Sequence, residues 1–240
     1  MPDYIYKRKN KGFSLAEILI ALAIIGIISA FTVPILITDS LQVQYNTGLA
    51  NVYQIISQAV TSIQANSGTV HVGTGASDAP SSNILMNDFC SVLSCTQTGN
   101  IHSIFNDANN YYLYKSSTFS QFPTNWTTPY AAVQLSNGIY LGFVPFASCT
   151  PTNGNPGGAG YNGNVKICGY ILADVNGHQP PNMQGDDFYT FWIVQNNTGF
   201  YSILPDGTPG DGNSCSSNSS IWNQSEGCTY QRLYNPYGMP

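Results

Sequence analysis

The chain has 240 residues, enough for one domain or one domain with an appendage, and only 8% of them are charged. Four of its seven Lys and Arg residues (Lys7, Arg8, Lys9, Lys11) stand in the first eleven positions, whereas eleven of its twelve acids follow from Glu17 onward. A body that is acidic and short of clustered cations argues against DNA or RNA as a main ligand, since phosphate binding needs grouped positive charge.

The first element is apolar. From Ile18 to Ile37 twenty residues run without a charge, and as a helix they reach about 30 Å, the thickness of a bilayer core. The basic cluster before them orients such a span, keeping Lys7–Lys11 cytoplasmic and sending the remainder across. A cleaved secretory signal fits poorly, because the best small-x-small candidate, Ile28-Ser29-Ala30, begins with a bulky residue. A buried core helix has no use for the basic cluster. A plain signal anchor stays open, yet it leaves Glu17 unexplained. With the span beginning at Phe13, that carboxylate stands inside the apolar region, where ionisable groups are usually paired and functional. Cleavage after Gly12 would free an α-amine on Phe13 and so provide a cation.

The run Gly12-Phe13-Ser14-Leu15-Ala16-Glu17 ahead of a long apolar helix resembles the class III signal of type IV pilins and type II secretion pseudopilins. The resemblance implies a membrane prepilin peptidase that cuts between Gly12 and Phe13 and then methylates the new amine. It implies Glu17 as the acid that guides assembly, and Gly26 and Pro34 as helix-weakening positions. Pro34 removes a backbone donor and clashes with the carbonyl of Ala30, and Gly26 lowers helix stability by up to about 1 kcal/mol relative to Ala. Both residues are also common in membrane helices for no special reason.

Beyond Pro34, Leu49, Val52, Ile56, Ala59 or Val60, and Ile63 recur at three- and four-residue steps, one apolar face of an amphipathic helix. It should stop near Asn66-Ser67-Gly68. A helix over 13–66 would be roughly 80 Å long, its second half packed on a sheet. Strand patterns follow at Tyr130–Leu135, Ile139–Val144, Ile167–Asp174, Phe188–Gln195 and Gly199–Leu204. The first two flank the hairpin signal Ser136-Asn137-Gly138. The expected class is α+β: a long N-terminal helix, half of it transmembrane, on an antiparallel sheet of four or five strands, which is also what the pilin resemblance implies. Residues 1–12 read as a leader that is removed, 13–66 as the helix with its span at about 13–37, and 67–240 as an extracytoplasmic globular domain. Thr69–Ser82 and the Gly- and Asn-rich run Thr150–Asn164 read as surface loops.

All six cysteines lie beyond the apolar segment, without a CxxC pair, so three disulfides in an oxidising compartment are expected in preference to zinc. Six cysteines allow fifteen pairings. Nearest neighbours give Cys90–Cys95, Cys149–Cys168 and Cys215–Cys228, the last resembling the disulfide-bounded terminal loop of many pilins.

One constellation of oxygen donors stands out: Asp174-Val175-Asn176-Gly177, Pro181-Asn182, Gly185 and Asp186-Asp187. It looks like the DVNG…PN…GxD element of many pilin-like proteins with this kind of N-terminus. Asp174, Asn176 and Asp187 are candidate calcium ligands by chemistry, although the spacing is not that of an EF-hand and no bidentate Glu closes it. Asx residues beside Gly and Pro are first of all turn formers. The loop Asp206-Gly207…Asp211-Gly212 has the same two readings. No cofactor is otherwise implied. His71, His102 and His178 stand apart from any nucleophile, and no catalytic set emerges. The Asn-x-Ser/Thr sites at Asn125, Asn196, Asn218 and Asn223 read as chance in an Asn-rich chain.

The expected function is therefore a structural one: a filament subunit inserted in the inner membrane, processed, and polymerised with other pilin subunits at an inner-membrane assembly platform, for adhesion, motility or DNA uptake at the cell surface. The alternatives are a pseudopilin of a type II secretion system, forming a short periplasmic fibre, and a membrane-anchored binding module or enzyme whose C-terminal domain works alone.

Overall fold

A computed structural model describes residues 12–72, 79–105, 130–151, 165–179, 182–183, 185–206 and 228–234. The chain divides into two compact units, Met1–Val43 and Gln44–Pro240.

In the first unit the described chain is helical from the start of α1 (Leu15–Ser67). Leu, Ala and Ile dominate, and every side chain from Gly12 to Val33 is exposed. Among the described residues, Leu15–Val33 is the one segment long and apolar enough to cross a membrane, and none of it is buried within the chain.

The second unit contains the rest of α1 from Gln44. Its stripe of Leu49, Val52, Ile56, Ala59, Val60 and Ile63 is buried, each Ile or Leu side chain contributing about 1.5–3 kcal/mol through removal from water. Gly68, with φ +77°, follows the helix in the left-handed conformation that ends helices cheaply.

The stripe of α1 packs against one face of a six-stranded sheet: β1 (Cys95–Asn100), β2 (Ala131–Leu135), β3 (Tyr140–Pro151), β4 (Val165–Asp174), β5 (Phe188–Asn196) and β6 (Tyr201–Pro205). The spatial order is the chain order, and every neighbouring pair is antiparallel. Alternation sorts the side chains. Leu141 and Phe143 of β3, Ile171 and Ala173 of β4, and Phe191 and Ile193 of β5 join the α1 core, with Leu85, Met86 and Phe89 of α2 (Ala79–Cys90). Val144, Leu172 and Phe188 point to the other face, where α3 (Ile101–Ile104) and Phe105 cover them. With both faces covered, β5 reads as a continuous apolar run instead of an alternating one. A last helix, α4 (Cys228–Tyr234), lies against β5 and β6.

The α+β architecture is the expected one, with a long N-terminal helix and an antiparallel sheet, but there are six strands, not four or five. The additional strand is β1, whose sequence Cys-Thr-Gln-Thr-Gly-Asn has no apolar alternation. It is an exposed edge strand defined by pairing with β2. The stretch Thr69–Ser82 is not wholly a surface loop either. Val70 and Val72 are buried, and α2 begins at Ala79. The Ser82 hydroxyl is buried, donating to the Phe143 carbonyl at 2.6 Å and accepting from the Ala131 N–H at 2.7 Å. Serines signal loops by composition; here one links a helix to two strands. Within Thr150–Asn164, Thr150 and Pro151 belong to β3, and 152–164 lie outside the described residues.

Candidate processing and assembly site

Gly12, Phe13 and Ser14 precede α1 and are not helical. The Ser14 N–H and hydroxyl both donate to Glu17 Oε2, at 2.8 and 2.9 Å, and the Glu17 N–H donates back to Ser14 Oγ at 3.3 Å. This reciprocal pair is a capping box. The N-cap hydroxyl serves the N–H of the third helical residue, whose carboxylate serves the N-cap N–H. The first helical bond runs from Ile18 N–H to the Ser14 carbonyl at 3.3 Å. A carboxylate in the first turn also faces the positive end of the helix dipole. Thus Gly12 and Phe13 stand just ahead of the cap, and Glu17 has a partner inside its own chain. Reading Glu17 only as an acid in want of a cation overlooks this, although the Ser-x-x-Glu pattern is plain in Ser14-Leu15-Ala16-Glu17.

Neither glycine of this unit is required by packing. A Cβ added at Gly12 or Gly26 would meet nothing within 4 Å, and neither has a positive φ. Thr32 donates its hydroxyl to the Ile28 carbonyl at 3.0 Å, a local bond that competes with the helical ladder. Pro34 falls within α1, while its side chain lies outside the described ones. The basic leader residues Lys7–Lys11 are likewise outside the described residues.

The second candidate, Asp174, Asn176 and Asp187, is brought together at the β4–β5 connection. Asp174 pairs in register with Phe188, and its Oδ1 accepts from the Asn176 N–H at 3.1 Å. Asp187 is fully buried. One of its oxygens accepts from the Asn182 N–H at 2.8 Å and the other from the Met183 N–H at 2.7 Å, and the Asn176 side chain bonds to it as well. Burial nevertheless pushes the carboxyl up to about 6, against the opposing pull of those donors and with some help from Asp186. Gly177 (φ +67°), Gly185 (φ +87°) and Asn182 (φ +50°) take left-handed conformations, which is what Gly and Asn permit and other residues resist. Among the described residues no group of three His, Cys, Asp or Glu side chains could hold a metal. The calcium reading of Asp174, Asn176 and Asp187 gains no support from this arrangement. Both oxygens of Asp187 serve backbone N–H groups, so the carboxylate braces a turn, whereas Ca²⁺ needs its oxygens turned inward as ligands.

Sequence reasoning also missed the partner of this turn. Arg232 of α4, buried, donates from Nε to the Gly185 carbonyl at 2.9 Å and forms an ion pair with Asp186. The Tyr189 hydroxyl donates to the Asp186 carbonyl, and burial raises that phenol well above its usual range. Only the scarcity of cations in the body hinted that Arg232 was special.

Asp206 is buried and accepts from the Trp192 indole N–H at 2.7 Å; positions 207–212 lie outside the described residues. Disulfides join Cys90 to Cys95 and Cys149 to Cys168. The Cys215–Cys228 pairing involves side chains outside the described ones, as do His102 and the sites at Asn125, Asn218 and Asn223. His71 pairs with Asp88 at 2.8 Å. His178 Nε2 lies 3.0 Å from the Ile104 carbonyl oxygen. Asn196 Oδ1 accepts from the N–H groups of Thr198 and Phe200 at 3.0 and 2.9 Å, organising the β5–β6 turn.

Residues 7–33 match the family model described as the prokaryotic N-terminal methylation motif. No curated protein and no solved structure matches the chain. The chain thus carries, at the head of an exposed apolar helix, the prepilin-type methylation motif that marks type IV pilins and pseudopilins.

Proposed function

We propose that this protein is the subunit of a type IV pilus-like filament. It waits in the inner membrane as a single-span precursor and is cut between Gly12 and Phe13 by a prepilin peptidase. It is then methylated on the Phe13 amine and polymerised through α1. The observation that carries this reading is the wholly exposed apolar stretch Leu15–Val33 directly behind the methylation motif. Such a surface is unfavourable in water at about 25 cal/mol per Å², and it needs first lipid and then neighbouring helices. In the filament Glu17 would exchange its bonds to Ser14 for the terminal amine of another subunit, and an unpaired carboxylate among apolar helices would penalise wrong axial register. Gly26 and Pro34 then mark where α1 yields as helices pack. The second unit would face outward and carry whatever contacts adhesion, motility or DNA uptake require.

Intact-mass analysis of the protein from its native membrane tests the processing. A chain beginning at Phe13 with one added methyl group is expected, and a chain beginning at Met1 without modification would leave a plain membrane anchor. Electron microscopy of sheared surface material tests the assembly, with long fibres containing this chain as the expected result. A processed chain confined to the periplasm would instead point to a secretion pseudopilin.

A further inference from the structure

We propose that Ser14 is a positioning residue for cleavage of the Gly12–Phe13 bond: by capping α1 it stops the helix short of that bond and leaves the bond accessible. The proposal rests on the processing reading above. Hydrolysis adds water across the peptide, the hydroxyl going to the Gly12 carbonyl carbon and a proton to the Phe13 nitrogen, which leaves a carboxylate and an ammonium. A peptidase must therefore reach the Gly12 carbonyl from the side. Were α1 one turn longer, that carbonyl would accept from the Ala16 N–H and the bond would be wound into the helix wall.

An apolar helix tends to lengthen once nucleated, because each further residue adds a hydrogen bond. Two features oppose this at the required place. Gly12 is a poor helix former, and the Ser14–Glu17 box diverts the very donors that elongation would use. The Glu17 N–H goes to Ser14 Oγ instead of the Phe13 carbonyl, and the Ser14 N–H goes to Glu17 Oε2 instead of the carbonyl four residues back. The result is visible in the fold: residues 12–14 are outside the helix, and Phe13 is 83% exposed. Open space around Gly12 means that nothing in the described chain demands glycine there, which is consistent with a close approach from outside.

The test uses the full-length precursor in lipid vesicles with purified prepilin peptidase, following the cleaved fraction by intact mass. The wild-type chain is expected to be cut after Gly12. Ser14→Ala, which removes the cap hydroxyl, should be cut about threefold to tenfold more slowly, a range set by what N-caps typically contribute. Ser14→Thr, which keeps a capping hydroxyl, should restore most of the rate. Carbon chemical shifts at Gly12 and Phe13 should turn helical in Ser14→Ala and revert in Ser14→Thr. Cleavage of Ser14→Ala at the wild-type rate, or slow cleavage with residues 12 and 13 still non-helical, would overturn the proposal while leaving the processing reading intact. A wild-type chain that the peptidase does not cut would overturn that reading itself, and this proposal with it.

Discussion

Gln64 of α1 pairs with the backbone of Tyr201 in both directions, its side-chain amide donating to the Tyr201 carbonyl at 2.9 Å and accepting from the Tyr201 N–H at 2.8 Å. A glutamine amide presents the same donor–acceptor pattern as a peptide group, so it behaves here as one residue of a seventh strand. β6 is an edge strand, and unpaired backbone groups on an edge invite pairing with other chains. The Tyr53 hydroxyl, 3.4 Å from the Ile203 carbonyl, extends the same cover. Gln64→Ala should cost about 1–3 kcal/mol, since it leaves both backbone groups of Tyr201 without their partner. Urea denaturation of the second unit measures this, and an unchanged midpoint would show that water replaces the amide at no cost.

Gly169 occupies a place that admits no side chain. A Cβ there would lie 2.6 Å from the Val144 carbonyl oxygen and 3.0 Å from Pro145 Cα, both backbone atoms of β3. The register shifts of β3 and β4 fall at this position, next to the Cys149–Cys168 disulfide. Pro145, which has no N–H to give, pairs with Gly169, which has no side chain to place. Glycine inside a strand often marks such a close backbone approach. Gly169→Ala should destabilise by about 1–3 kcal/mol through overpacking. Thermal unfolding under oxidising conditions is the measurement, and a loss under a few tenths of a kcal/mol would mean that the strands part easily here.

The parts of this fold that were legible in the sequence are those where one physical signal acts alone. Periodicity placed Leu49, Val52, Ile56 and Ile63 on the buried face of α1. Asn137-Gly138 placed the β2–β3 turn, where Gly138 has φ +87°. β1 was illegible because an exposed edge strand of polar residues is defined by its partner, not by its own pattern. α2 was hidden by Ser81, Ser82 and Asn83, whose loop preference is overridden by burial of Leu85 and Phe89. At the N-terminus the methylation motif was legible because the basic cluster, the Gly-Phe pair, the acid and the apolar run coincide. The capping by Ser14 was not legible, since a serine after Gly12-Phe13 draws attention only when the hydrogen bonds to Glu17 are in view.

On the proposed assembly, Glu17 should matter more in the filament than in the free subunit. It belongs to the first unit, where it is exposed and bonded to Ser14 in the single chain. Glu17→Val is expected to leave the unfolding of that unit unchanged, yet to lower filament yield by about tenfold or more, because removing one partner of a buried pair strands the other charge. Sheared-fibre recovery and denaturation of the same preparations separate the two effects. Normal fibre recovery would remove Glu17 from the assembly mechanism.

The turn between β4 and β5 should make the second unit sensitive to pH through Asp187. Burial raises its carboxyl from an ordinary 3.8 to about 6, so the native state holds a proton that the unfolded chain releases earlier. The contribution of this group to stability is therefore fully present below about 3.8 and is lost as pH rises through about 6. A shift of that size corresponds to roughly 2–3 kcal/mol. The charge that faces it is Asp186, itself paired with Arg232; the Tyr45 phenol is raised by burial first and then by Asp187, Asp186 and Asp174. Asp187→Asn removes the titration while keeping one acceptor oxygen for the turn, so the variant should show a flatter stability profile between pH 4 and pH 7. Urea midpoints measured across that interval give the comparison. Parallel profiles for the two proteins would mean that the N–H groups of Asn182 and Met183 hold Asp187 ionised despite its burial.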